Sequence, residues 1–467
     1  MADARQSPPL QGNPLDVINR TGLFLILGVL LCILLGVLVD RLLSVKMQKQ
    51  TREPVWVKLL LLVSYAYLIP GLFLVLFSFN ALIDLGPNSK IGLGPNGGMG
   101  KFPGTTESML GVISMTHRRG STWGAAIVVL YAMAIPAFKL ILLFVGNFTE
   151  HREDWQKFSR RCIQCVQIIS KWACPDMFAY ILLMHLVQSL DTDKSLRAAG
   201  HLDLGFTCFS LFCVGSTIAS LGIRVPDREH GCWQKAGRFL GRKGLLCVVA
   251  PLTIAFSVLF VFGMGETVMA LDLSHMDPAR KAVLDSLGLS DSLNARVSFW
   301  ECMVGLLHHV RQGEVNSLLG LIMMGVFMMG FTVLDMALLL VSAFFLKFGK
   351  TFSHRWMHVA WVAKKLSMLD VAIMGVFVVT LVMVMYKDDG VQVDTGRGLY
   401  ILLAAEVIHY ITYYLVKGTV ECVAPELRLG NPVNEDEDEA EDELGSGGGG
   451  AEGDSELGSS DTIITRL

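Results

Sequence analysis

Long apolar runs separated by short polar links dominate this chain. Nine runs come close to the roughly 17–25 residues that a helix needs to cross a bilayer. They lie near 22–45, 56–80, 122–147, 173–190, 203–222, 244–264, 317–347, 367–386 and 398–417. The pattern therefore predicts an all-α polytopic membrane protein with about nine transmembrane helices.

Every second link between these helices is short and basic. The links at 41–58, 148–171, 223–243 and 347–365 each carry five or six lysine and arginine residues. Because cytosolic loops are enriched in lysine and arginine, these links are predicted to be cytosolic, with the N-terminus outside and the C-terminus inside. The outer segment at 81–121 repeats Leu-Gly-Pro-Asn, which predicts turns and a small β-hairpin.

The composition agrees with a membrane-embedded body and a different tail. Charged residues make up 17% of the chain, against about 25% in soluble proteins. Residues 434–444 are nearly all glutamate and aspartate, and a glycine run follows them. This tail is predicted to be disordered. Nothing in the charge pattern favours nucleic-acid binding.

An internal repeat appears in the outer segments. Glu107-Ser-Met-Leu-Gly111 is matched 194 residues later by Glu301-Cys-Met-Val-Gly305. A short polar break and a long apolar helix follow each copy. Further along, Lys171-Trp-Ala-Cys-Pro-Asp176 is matched by Lys365-Leu-Ser-Met-Leu-Asp370, again 194 residues later.

The repeat predicts two tandem four-helix units and one additional helix. Each unit has an even number of spans, so the units are expected to be parallel and related by an axis along the membrane normal. The predicted organisation has five parts: an N-terminal region with an extra helix (1–50), a first repeat (51–223), a basic cytosolic linker (224–242), a second repeat (243–420) and the acidic tail (421–467).

These motifs resemble those of the paraquat-inducible protein A family. Pro136-Ala-Phe-Lys139 matches the family's Pro-x-x-Lys signature, and Lys171-Trp172 with Asp176-Met-Phe178 matches part of a second signature. Leu366-Ser-Met-Leu-Asp370-Val371 matches that second signature closely. The resemblance covers about 56–420. It implies transport of lipids between membranes, beside a partner protein that forms the lipid conduit.

The chain departs from the family pattern in two respects. Family members carry zinc ribbons built from paired Cys-x-x-Cys motifs, whereas this chain has only Cys162-x-x-Cys165, which we interpret as part of an amphipathic helix. The second repeat has Thr332-Val-Leu-Asp335 in place of Pro-x-x-Lys. We predict no metal site, no cofactor and no catalytic constellation, so the protein is not expected to be an enzyme.

Ionisable residues within the predicted helices are the candidate functional groups, because charge in a membrane is costly. Lys139 is predicted to pair with Asp176, or to reach Asp335 or Asp370. The alternative is structural, since the helix dipole favours acids such as Asp176 and Asp370 near helix N-termini. Glu406 and His409 share one helix face and form a secondary polar pair.

Three functions fit these residues. The first is lipid transport, with membrane lipids as the ligand and gating at the level of the charged residues. The second is a secondary transporter or channel for a small solute or ion, which would place ionisable groups along a water-filled path. The third is a scaffold without transport, whose outer segments and acidic tail recruit partners.

Overall fold

Apolar helices make up most of the structure, a computed structural model that describes residues 14–46, 54–84, 90–92, 105–149, 156–189, 196–223, 233–272, 295–347, 354–384 and 392–423. Eight helices in these ranges are long and apolar enough to cross a membrane. The chain is therefore an integral, multi-pass, mainly α-helical membrane protein, as predicted. The predicted acidic tail lies outside the described residues from 424 onward.

The first half of the chain forms eight helices and four strands. In chain order they are α1 (Pro14–Lys46), α2 (Val55–Phe73), β1 (Val75–Asp84), β2 (Lys90–Gly92), β3 (Thr105–Ser108), α3 (Met109–Arg118), α4 (Thr122–Val129), a π-helical segment (Leu130–Ala134), α5 (Ile135–Thr149), α6 (Gln156–Ile169), a 3-10 turn (Ser170–Ala173), α7 (Pro175–Gln188), β4 (Leu196–Leu202) and α8 (Leu204–Leu221).

The second half has nearly the same order of elements. They are α9 (Trp233–Gly265), β5 (Met269–Asp272), β6 (Arg296–Val297), α10 (Phe299–Arg311), α11 (Val315–Ile322), a π-helical segment (Met323–Gly330), α12 (Phe331–Lys347), α13 (His354–Leu366), α14 (Leu369–Met383), β7 (Gln392–Thr395) and α15 (Arg397–Val423). Apart from α1, the helices and strands of the two halves follow one another in a similar order. The π segments even fall at the same place in the two long helices.

Two short antiparallel sheets occupy equivalent places in the halves. Strand β1 pairs with β2, β3 and β4, and strand β5 pairs with β6 and β7. The pairing of β1 with β2 is the predicted hairpin. Residues 74–80 were expected to continue the second helix, and that expectation is wrong. The helix ends at Phe73, where the Pro70 carbonyl accepts the amide of the capping residue Leu74, and residues 77–83 pair with β4 instead.

The interior helices differ from the outer ones in burial. Helix α7 has only 14 residues, most of them buried. At 1.5 Å per residue it is about 21 Å long, less than the roughly 30 Å of a bilayer core. It corresponds to the predicted span at 173–190, which explains why eight rather than nine helices reach full length. By contrast, α1 and α9 expose large apolar side chains such as Phe24 and Val261, which suits contact with lipid.

The extra helix α1 is tied to both halves. Near its C-terminal end, the Asp40 carboxylate accepts the backbone amides of Val55 (2.7 Å) and Trp56 (3.0 Å) at the start of α2. Near its other end, the side-chain oxygen of Asn19 accepts the amide of Val315 (3.2 Å) at the start of α11. In this way α1 satisfies amides that a helix start leaves without partners in each half.

The repeated glycine of α10 is required by close packing. A Cβ on Gly305 would lie 2.9 Å from two ring atoms of His185 in α7. Only glycine leaves room for this imidazole between the two halves.

We predict that Gly305→Ala lowers thermal stability by about 1–3 kcal/mol, the usual cost of overpacking. Gly265→Ala is the matched control, because nothing lies within 4 Å of a Cβ at that position. Melting temperatures of the two purified variants in detergent check this. Equal melting temperatures would show that His185 moves aside at no cost.

Candidate functional site

Lys139, in the middle of α5, is fully buried among neutral groups. Its ammonium donates to the Ser170 hydroxyl and, at 2.8 Å, to the Ser216 carbonyl. Ser220 in turn donates to the Ser170 hydroxyl (2.8 Å). The predicted pairing of Lys139 with an aspartate is wrong. This face of α5 meets the 3-10 turn and α8, which supply hydroxyl and carbonyl oxygens.

Asp176 lies in the first turn of α7 and is fully buried. Among the described residues, neither of its carboxylate oxygens has a hydrogen-bond partner. The helix dipole favours an acid here, but the carboxylate caps no backbone amide. A buried carboxyl group without hydrogen bonds costs free energy, so this residue requires an explanation beyond helix capping.

The second half buries a chain of paired ionisable side chains. His409 Nε2 lies 2.8 Å from Asp335 Oδ2, and His409 Nδ1 lies 3.0 Å from Glu406 Oε2. This contact confirms the predicted common face of Glu406 and His409. Lys364, at the end of α13, places its ammonium 3.4 Å from Glu406 and 3.2 Å from His409 Nδ1. All four side chains are nearly inaccessible to solvent.

A second group of contacts joins the two halves. The Lys171 ammonium, from the first half, forms an ion pair of 2.5 Å with Asp370 in α14. The Tyr410 hydroxyl donates to the same carboxylate (2.8 Å) and lies 3.1 Å from the Lys171 ammonium. Lys364 sits 3.7 Å above the Tyr410 ring. This cation–π contact connects the two groups into one network.

The network is electrically balanced when His409 is protonated. Two lysines and one imidazolium then face three carboxylates. Both ring nitrogens of His409 lie within 3.0 Å of a carboxylate oxygen, and only the protonated ring donates from both nitrogens. We define the buried charge network by its seven members: Lys171, Asp335, Lys364, Asp370, Glu406, His409 and Tyr410.

The sequence identified four of the seven members. Asp335, Asp370, Glu406 and His409 were predicted as candidates, whereas Lys171, Lys364 and Tyr410 were missed. A signal for Lys171 was present, because a lysine precedes the aspartate by five residues in each repeat. Lys364 and Tyr410 carry no such signal, since only packing brings them together.

A separate cluster lies outside the spanning helices, at the start of α11. Glu314 accepts from His201 of β4 (3.0 Å) and Ser317 (2.9 Å), and His309 lies 3.4 Å away. The hydrogen bond with Glu314 raises the pKa of His201. Burial alone would raise the pKa of Glu314, but the hydrogen bonds from His201 and Ser317, together with the nearby His309 ring, outweigh burial and lower that pKa. This cluster joins the halves at their outer side.

The cysteine motif belongs to helix α6, as predicted. Cys162 is buried, and Cys165 is partly exposed on the same amphipathic helix. In the part of the chain that the structure describes, no group of three or more histidine, cysteine or acidic side chains is arranged to hold a metal ion.

These features define a multi-pass membrane protein that keeps ionisable groups inside its helix bundle, where such groups are rare and costly. Residues 102–226 match the family model of Paraquat-inducible protein A. The match confirms the predicted resemblance over most of the first repeat, including Lys139, Lys171 and Asp176. No curated protein and no solved structure matches the chain.

We predict that Lys364→Met lowers stability by about 3–5 kcal/mol, because it leaves the buried carboxylates of Glu406 and Asp335 with His409 alone as a shared partner. The double variant Lys364→Met/Glu406→Gln removes the orphaned charge and is expected to recover part of that loss. Thermal unfolding in detergent measures both. A double variant less stable than the single one would contradict a paired role for these residues.

We also predict a pH dependence that comes from His201. The pKa of His201 is raised in the folded state. Its contribution to folding stability is therefore complete below the unfolded-state pKa of 6.5, and it is lost as the pH rises through the folded-state pKa. The pKa of Glu314 is lowered in the folded state, so the contribution of Glu314 to folding stability persists as the pH falls to its unfolded-state pKa of 4.5. The stability advantage of the wild type over His201→Gln should therefore be larger near about pH 6 than near about pH 9.

His308→Gln is the control for this measurement, because His308 is exposed and its side chain bonds to Gln312 and touches the His309 ring, but does not contact Glu314. Its stability relative to the wild type should not change with pH. If the stability difference between the wild type and His201→Gln stays constant from acidic to alkaline pH, the ionic contact between His201 and Glu314 is ruled out.

Proposed function

We propose that this protein transports lipids between membranes. The observation that carries the proposal is the match of residues 102–226 to the family model, since the resemblance to that family implies lipid transport. The buried charge network supports it, because a membrane protein retains such costly groups where they serve a function. We propose that the N-terminus lies outside and the C-terminus in the cytosol.

In the proposed mechanism, amphiphiles enter between the two repeats and the charge network controls the movement of one repeat against the other. Lys171 and Asp370 come from different repeats, so any relative movement at this level stretches or breaks their contact. The apolar outer faces of α1 and α9 suit contact with acyl chains. A conduit-forming partner protein is part of this proposal.

A second candidate is a secondary transporter for protons or another small cation. The contact of His409 with two carboxylates favours it, because histidine exchanges protons near neutral pH. In that case the network conducts the coupling ion, and lipid is not moved.

Reconstitution into liposomes distinguishes these functions. We expect the wild-type protein to transfer a fluorescent phospholipid from donor to acceptor liposomes. Asp335→Asn should slow that transfer about tenfold or more, which corresponds to about 1.4 kcal/mol of lost transition-state stabilisation. Asp394→Asn is the matched control, because Asp394 is exposed in β7. Its transfer rate should equal that of the wild type.

The same liposomes carry a trapped pH indicator. Proton flux without lipid transfer would support the second candidate and contradict the first. Equal rates of lipid transfer in the wild type and Asp335→Asn would show that the charge network has no role in lipid transfer.

A further inference from the structure

Equivalent aspartates of the two repeats have different surroundings. Asp176 and Asp370 lie 194 residues apart, and each is in the first turn of a short helix. The Asp370 carboxylate pairs with the Lys171 ammonium and accepts the Tyr410 hydroxyl (2.8 Å), contacts that favour its ionised form. The Asp176 carboxyl group is fully buried, and neither of its oxygens has a hydrogen-bond partner among the described residues.

Two phenols and a thiol interact electrostatically with Asp176. They are Tyr131 of the first π-helical segment, Tyr180 of α7 and Cys213 of α8. Such groups are neutral near neutral pH, so they offer the Asp176 carboxyl no positive charge. Tyr131 also places the site beside a π-helical segment, and such segments are frequent at functional sites.

Lys139 is the buried cation of the first repeat, and its ammonium contacts other groups. It donates to the Ser170 hydroxyl and to the Ser216 carbonyl, and its charge acts on Cys213. Burial is therefore the dominant influence on the Asp176 carboxyl group.

The ionisable groups of α10 that face α7 lie further along that helix. Glu301 and His309 act on His185, and His201 of β4 belongs to the same outer cluster. His185 follows Asp176 by nine residues, which corresponds to about 13 Å along an α-helix. These groups do not compensate a charge on Asp176.

The surroundings of Asp176 therefore favour its neutral form. An isolated carboxylate in an apolar interior costs far more free energy than the neutral acid, so such a group takes up a proton. Asp176 also lies where α7 meets the second repeat, because a Cβ on Gly375 of α14 would lie 2.9 Å from the carbonyl of the adjacent Pro175. Movement of one repeat against the other opens this contact, and water that enters stabilises the carboxylate.

We infer that Asp176 is a proton-binding site, which holds a proton in this state of the protein and releases it when the repeats separate at α7 and α14. The equivalent Asp370 holds no proton, because Lys171 neutralises it. The protein thus has one such site, in the first repeat, apart from the charge network around His409. The inference goes beyond the proposed function, since it requires neither a lipid nor a conduit-forming protein.

Infrared spectroscopy of the purified full-length protein at about pH 7 tests whether Asp176 holds a proton. We expect the wild type to show the carbonyl stretching band of a protonated carboxylic acid, which lies at higher frequency than the bands of carboxylates. Asp176→Asn should lack this band. Asp40→Asn is the control and should keep it, because the Asp40 carboxylate accepts two backbone amides and is ionised.

Two further spectra complete this test. Asp176→Glu keeps the acid and should shift the band, which assigns it without the asparagine variant. In heavy water the wild-type band should move to lower frequency, because a proton that is released and rebound exchanges with solvent. Equal spectra for the wild type and the Asp176 variants, or a band that does not move in heavy water, would overturn the inference.

Proton release on unfolding is an independent measure. A carboxyl group that holds its proton when folded and loses it when unfolded releases one proton, so stability falls as the pH rises. Between about pH 5 and pH 7, the unfolding equilibrium constant of the wild type relative to that of Asp176→Asn should therefore rise about tenfold per pH unit. The ratio of the wild type to Asp40→Asn should stay constant over this range. A ratio to Asp176→Asn that does not depend on pH would contradict the bound proton.

Discussion

The free-energy cost of placing charge inside an apolar bundle is the constraint on which this structure depends. A charged side chain at the centre of a membrane helix costs about 2.5–3.5 kcal/mol even by the more lenient scales. The buried charge network offsets that cost because each acid faces a cation. Its members come from α12, α13, α14, α15 and the 3-10 turn, so their contacts also fix where these elements lie relative to each other.

The two repeats meet this constraint in different ways. The first half surrounds Lys139 with hydroxyl and carbonyl oxygens, and the Asp176 carboxylate has no hydrogen-bond partner among the described residues. The second repeat places Asp335 at the corresponding position and pairs it with His409. The repeats thus keep the same order of helices while their buried polar groups differ.

Much of the architecture could be predicted from the sequence, because length and hydropathy decide which segments cross a membrane. The offset of 194 residues predicts a repeat, and the shared face of Glu406 and His409 followed from helical periodicity. The contacts of Lys139 could not be predicted, since they depend on which face of α5 meets α8. The strand at residues 75–84 was missed because its residues are as apolar as those of the preceding helix, and its pairing with β4 is a tertiary effect.

A double-mutant cycle on Lys171 and Asp370 tests the central claim, that an ion pair between the repeats holds the interior of the bundle together. The free energy of unfolding in detergent is measured for Lys171→Met, Asp370→Asn and the double variant. The network predicts a coupling energy of about 1–3 kcal/mol, with the double variant less destabilised than the sum of the single ones. Effects that add to within about 0.5 kcal/mol would contradict it, because residues that do not interact are additive to that extent.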